Sequence, residues 1–93
     1  MNPSDTISKH LPELKSRYKI RKIGVFGSYI KGQEQPASDV DILVSFEESV
    51  DIFAFIELKE YLESILDRNV DLVTEKALKP AMKENILREA RYL

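Results

Sequence analysis

Three aspartates and a Gly-Ser pair carry the chemistry legible in this 93-residue chain. Asp39 and Asp41 stand two apart in the run Ser38-Asp39-Val40-Asp41-Ile42-Leu43-Val44, which reads as a strand. Side chains two apart on a strand leave the same face. Like charges placed there repel, and each raises the cost of ionising the other. Folding alone supplies no reason for such a pair. A divalent cation does, because it reverses the sign of the local field. Oxygen ligands, few in number, suit Mg²⁺, which keeps waters and completes its shell from substrate phosphates. Asp71 sits early in the next predicted strand. If the two strands are parallel and adjacent, the three carboxylates converge at one end of the sheet. Such a set could cage two metal ions for phosphoryl or nucleotidyl transfer. An Asp-x-Asp pair on its own more often simply starts a strand at a solvated edge.

Gly27-Ser28 follows the first predicted strand directly. A glycine that lets the backbone approach, then a helical turn with free N–H groups, makes an anion cradle. The Ser28 hydroxyl and the Lys31 ammonium could add to it. Taken alone, a strand followed by Gly-Ser is also an ordinary turn. The chain has neither a phosphate loop ending in Gly-Lys-Ser/Thr nor a Gly-x-Gly-x-x-Gly fingerprint, so a phosphate site here is of another kind.

The elements that must position these residues form one continuous αβ pattern, read as a single domain over residues 1–93. Ser4 to Tyr18 is predicted helical, with Ser4 as N-cap and Asp5 at the positive end of the dipole. A break near His10 lets Pro12 fall in the first turn of a second helix, where its missing N–H costs nothing. Ile20 to Gly27 is strand one, and Gly24 inside it signals a close backbone approach. A turn over 28–31 and a polar loop over 32–38 follow. Asp39 to Phe46 is strand two, apolar enough in its second half to be buried on both faces. In Asp51 to Asp67, Ile52, Phe55, Ile56, Leu58, Leu62, Ile65 and Leu66 make a wide apolar stripe of a helix. Val70 to Thr74 is strand three, and a strand–helix–strand unit makes strands two and three parallel. Pro80 opens a last helix, with Met82, Ile86, Leu87, Ala90 and Leu93 at helical spacing. Glu75 is a weaker alternative to Asp71, expected to point to the opposite face. His10 is expected on the surface or facing a partner, and Tyr18, Tyr61 and Tyr92 in packing or at a rim.

Composition removes several classes. No cysteine means no disulfide, no thiolate metal site and no Cys nucleophile, and one histidine cannot build a His-rich zinc site. No apolar run approaches a membrane span, and no signal peptide is visible, so a cytoplasmic protein is expected. Lys and Arg number 14 against 16 Asp and Glu, a net charge of −2 that argues against direct nucleic-acid binding.

Gly27-Ser28, ten intervening residues, Asp39-Val40-Asp41, then a strand aspartate after a helix together resemble the nucleotidyltransferase superfamily of DNA polymerase β. Arg21-Lys22-Ile23-Gly24-Val25-Phe26 and Val70-Asp71-Leu72-Val73-Thr74 extend the likeness over nearly the whole chain. Within the superfamily the chain is similar to the minimal nucleotidyltransferases, including antitoxins paired with HEPN-domain toxins. The resemblance implies an α/β (α+β) palm-like fold, a small mixed sheet of about three strands with helices packed on it. It implies that Gly27, Ser28 and Lys31 hold the triphosphate of ATP with Asp39 and Asp41. Asp39 and Asp41 would bind two Mg²⁺ ions, and Asp71 would complete the metal nearer the acceptor. AMP would pass to a tyrosine of a partner HEPN toxin, an all-helical ribonuclease, making the chain the antitoxin of a type VII toxin–antitoxin pair. The family often carries Ala and Arg where this chain has Ile30 and Lys31, and lysine keeps the charge without the bidentate fork. A non-catalytic antitoxin that neutralises by contact is the alternative, and a homo-oligomer is left open.

Overall fold

The computed structural model describes residues 3–27 and 39–93. The turn expected over 28–31 and the loop over 32–38 lie outside the described residues, and with them Ser28 and Lys31.

Two short helices open the chain, α1 (Pro3–Lys9) and α2 (Leu11–Tyr18). Pro12 sits in the first turn of α2, as expected. Pro3 begins α1, so Ser4 lies inside the first turn rather than capping it. Lys19, at φ 54°, turns the chain into β1 (Ile20–Phe26). Strand β2 (Val40–Phe46) leads to α3 (Ile52–Leu66), where the Asp51 carboxylate accepts the Ala54 N–H at 2.8 Å as an N-cap. Asp67, in the left-handed region at φ 53°, closes α3 by donating its N–H to the Glu63 carbonyl at 2.8 Å. The Glu63 side chain in turn accepts the Val70 N–H at 3.0 Å, which fixes the start of β3 (Val70–Thr74). A 3₁₀ turn (Glu75–Ala77) leads to α4 (Pro80–Glu89) and to a two-residue strand, β4 (Arg91–Tyr92).

The sheet is mixed, in the order β3-β2-β1-β4. β2 and β3 are parallel, as the strand–helix–strand pattern requires, and β1 pairs antiparallel with both β2 and β4. The fourth strand corrects the expected three. Ala90 and Leu93 sit at helical spacing, yet Ala90 is extended (φ −63°, ψ 137°) and the helix stops at Glu89. The chain beyond pairs with the outer edge of β1, at Gly24 and Val25, and satisfies backbone groups that a helix would leave bare. Connecting β3 to β4 means crossing three strand spacings, roughly 14 Å. The ten residues of α4 span about 15 Å.

One face of the sheet is backed by the first three helices. Val40, Ile42, Val44, Ile23 and Val25 point there and join Ile7, Leu14, Leu58 and Leu62 in a single apolar cluster. Tyr61 donates to Glu13 at 2.9 Å, and Arg17 reaches Glu57 at 3.0 Å, tying α2 to α3 at the rim. His10 is half-buried, with its ring beside Tyr61 of α3. Its Nδ1 hydrogen-bonds the Thr6 carbonyl at 2.9 Å, and its ring meets Tyr61 edge-on.

Candidate active site

Strand alternation assigns the carboxylates to the other face. Asp41 lies between Phe26 of β1 and Asp71 of β3 in register, so the two aspartates are direct neighbours on parallel strands. Asp39 immediately precedes β2 and is exposed, and the adjoining Val40 N–H binds the Asn69 carbonyl at 2.9 Å. That bond locks the start of β2 to the residues entering β3, which holds the two acidic ends together. Asp41 is half-buried and Asp71 exposed.

The Asp41 carboxyl is pushed above the usual carboxylate range, first by burial, then by the charges of Asp71 and Asp39. Asp71 and Asp39 therefore both lie within electrostatic reach of Asp41. Among the described residues no three His, Cys, Asp or Glu side chains form a ready-made metal cage. The donor set still fits a hard cation that takes much of its shell from water and phosphate, and such an ion would relieve the repulsion around Asp41.

Gly27 makes room for this arrangement. It follows β1 at φ +79°, a conformation that favours glycine, and a Cβ built on it would run into the Asp41 carboxylate. Gly24 has a different purpose. A Cβ there would lie 2.7 Å from the Arg91 carbonyl oxygen, so the close approach signalled by the sequence is that of β4.

Glu75, expected on the face opposite Asp71, opens the 3₁₀ turn after β3, where strand alternation no longer fixes its face, and it accepts a hydrogen bond from the Tyr92 hydroxyl at 2.5 Å. Tyr92 is opposite Gly24, where a Cβ would meet the backbone of Arg91 and Tyr92. The Lys22 ammonium lies 5.5 Å from the centre of its ring. Burial and Glu75 push the Tyr92 hydroxyl up to about 12. Sequence reasoning missed this pair, and the only signal for it was the glycine in β1.

Residues 7–93 match the nucleotidyltransferase domain family. The chain is 48% identical over 87 residues to the protein adenylyltransferase MntA of Thermococcus cleftensis, covering 94% of this chain and 88% of the relative. A toxin–antitoxin crystal structure with AMP-PNP superposes with a TM-score of 0.77 at 30% identity, covering 99% of this chain and 72% of the other. A tri-AMPylated HEPN toxin of Shewanella oneidensis in complex with its MNT antitoxin matches with a TM-score of 0.69 at 26% identity, over 98% and 71%. Among the described residues no helix is long and apolar enough to cross a membrane. With its mixed sheet, its paired strand aspartates and a family match from residue 7 to the last residue of the sequence, the chain belongs to the nucleotidyltransferase domain family.

Proposed function

We propose that the chain is a Mg²⁺-dependent protein adenylyltransferase that moves AMP from ATP to a tyrosine of a HEPN-domain toxin in the cytoplasm, as the antitoxin of the pair. The observation that carries this reading is the register of Asp41 beside Asp71, with Asp39 close enough to act on the Asp41 carboxyl. Bound there, Mg²⁺ would neutralise phosphate charge and favour an ionised acceptor oxygen.

The chain's own residues would do the following. Asp39 and Asp41 hold the metal ions, and Asp71 completes the site on the acceptor side. Gly27 leaves the Asp41 carboxylate free to turn toward its ligand and, with Ser28 and Lys31, receives the triphosphate. The tyrosine oxygen forms a bond to the α-phosphorus, the bond to the β-phosphate oxygen breaks, and pyrophosphate leaves. The tyrosine proton passes to Asp71. Tyrosine has a pKa near 10, so the acceptor needs this help at neutral pH.

Intact-mass spectrometry of the HEPN partner, mixed with the chain, Mg²⁺ and ATP, tests the reading. The partner gains whole AMP units with the unmodified chain and none with the double variant Asp39→Asn, Asp41→Asn. A partner of unchanged mass that is nonetheless inhibited would replace catalysis by neutralisation through contact.

A further inference from the structure

Helix α3 carries more apolar surface than the core uses. At about 100° per residue, Phe55, Ile52, Ile56 and Phe53 follow one another around the helix within an arc of roughly 160°. Phe55 packs partly against the apolar cluster. Ile52, Ile56 and Phe53 turn outward and are 61, 44 and 78% exposed. The wide stripe expected from sequence is therefore two stripes, and Ile52 and Ile56 belong to the outer one. Phe53, the most exposed large apolar side chain among the described residues, projects from it as a knob.

A hole adjoins the knob. A groove of about 800 Å³ opens at the C-terminal ends of β2 and β3, with an apolar wall of Val44, Phe46, Phe55 and Leu72. Ile52 also lines it and carries that wall out to the surface. Three carboxylates (Glu48, Asp51 and Glu75) and three cations (Arg21, Lys76 and Lys83) line the same groove, so its charges balance. A surface of one sign selects a partner of the other. A surface that holds both signs beside an apolar wall matches a copy of itself, which is what a two-fold contact requires.

We propose that this patch is a two-fold docking surface for a second copy of the chain. Phe53 of each copy would enter the groove of the other, and such an exchange closes at two copies. The three outward side chains expose roughly 400 Å² per copy, about half of what each partner gives to a standard interface. The groove wall and its charged rim would supply the other half. The position agrees with this use. Val44, Phe55 and Leu72 belong to the helix-backed side of the sheet, whereas Asp41 and Asp71 stand on the other face, near the opposite ends of β2 and β3. Pairing through the groove leaves both sets of carboxylates open to ATP and to an acceptor. The inference does not depend on the adenylyltransferase reading.

Sedimentation of the full chain over a wide range of concentration tests this. The unmodified chain is expected to form a dimer by mass action. Phe53→Ser and, separately, Lys83→Glu are surface changes, and circular dichroism checks that each variant folds. Each is expected to raise the dimer dissociation constant ~10-fold or more. Both variants are expected to bind the HEPN partner as the unmodified chain does. A chain that stays monomeric at every concentration would overturn the proposal. So would a dimer that neither substitution weakens, because its contact would lie elsewhere. A monomeric chain whose Phe53→Ser variant loses the HEPN partner would assign the patch to that partner and overturn the proposal as well. Failure of AMP transfer by the unmodified chain would overturn the adenylyltransferase reading and leave the sedimentation result unchanged.

Discussion

On the helix-backed face of the sheet, Val40, Ile42, Val44, Val70 and Leu72 meet Leu58 and Leu62, and no polar side chain among the described residues is buried with them. On the other face of the same two strands, Asp41 and Asp71 stand side by side. Each residue of the first set adds to stability, on the order of 1.5–3 kcal/mol for a fully buried large aliphatic side chain. The aspartates do the opposite. Burial and mutual repulsion make the ionised Asp41 costly to hold. Alternation lets one strand hold both kinds of residue, and only an account that includes a ligand explains the second kind.

The strongest way to break this comparison is Asp41→Asn. Transfer is expected to fall by ~10³-fold or more, because a transition-state charge loses its counter-charge. Folding stability is expected to rise at neutral pH in the absence of metal. The sign follows from linkage. A carboxyl raised above its unfolded value contributes stability that is full below the unfolded pKa and is lost as pH rises through the folded pKa. Initial rates and thermal melts of the same sample check both halves. Leu62→Ala attacks the other face. It should cost about 2–5 kcal/mol in urea denaturation and leave the activity of the folded fraction intact.

Gly27→Ala links the two faces. The strained φ should cost ~1–2 kcal/mol, and displacement of the Asp41 carboxylate should lower transfer beyond what lost stability explains. Tyr92→Phe is expected to have the smallest effect. The unmodified chain should lose stability as pH rises from about 10 toward about 12, because the folded hydroxyl holds its proton longer than the unfolded one. At 40% exposure solvent screens the group, so the loss should stay below ~1 kcal/mol. The variant should flatten that slope in melts taken across the same pH range.

The sequence made legible what depends on local pattern. The α3 run, the parallel pairing of β2 and β3, and the placing of Asp71 beside Asp41 all follow from periodicity and connection length. Gly24 announced a close approach without saying by what, because β4 pairs with β1 across about 67 residues of chain. Leu93 at helical spacing concealed that strand, since spacing cannot tell one more helical turn from a chain end completing a sheet edge. The excess width of the α3 stripe was visible, but only solvent exposure separates the part that packs from the part that does not.

Titration calorimetry with Mg²⁺ and AMP-PNP, on the unmodified chain and on Asp41→Asn, tests the central claim most directly. The account predicts saturable binding that requires both Mg²⁺ and the Asp41 carboxylate. Equal affinity without Mg²⁺, or in the variant, would contradict it.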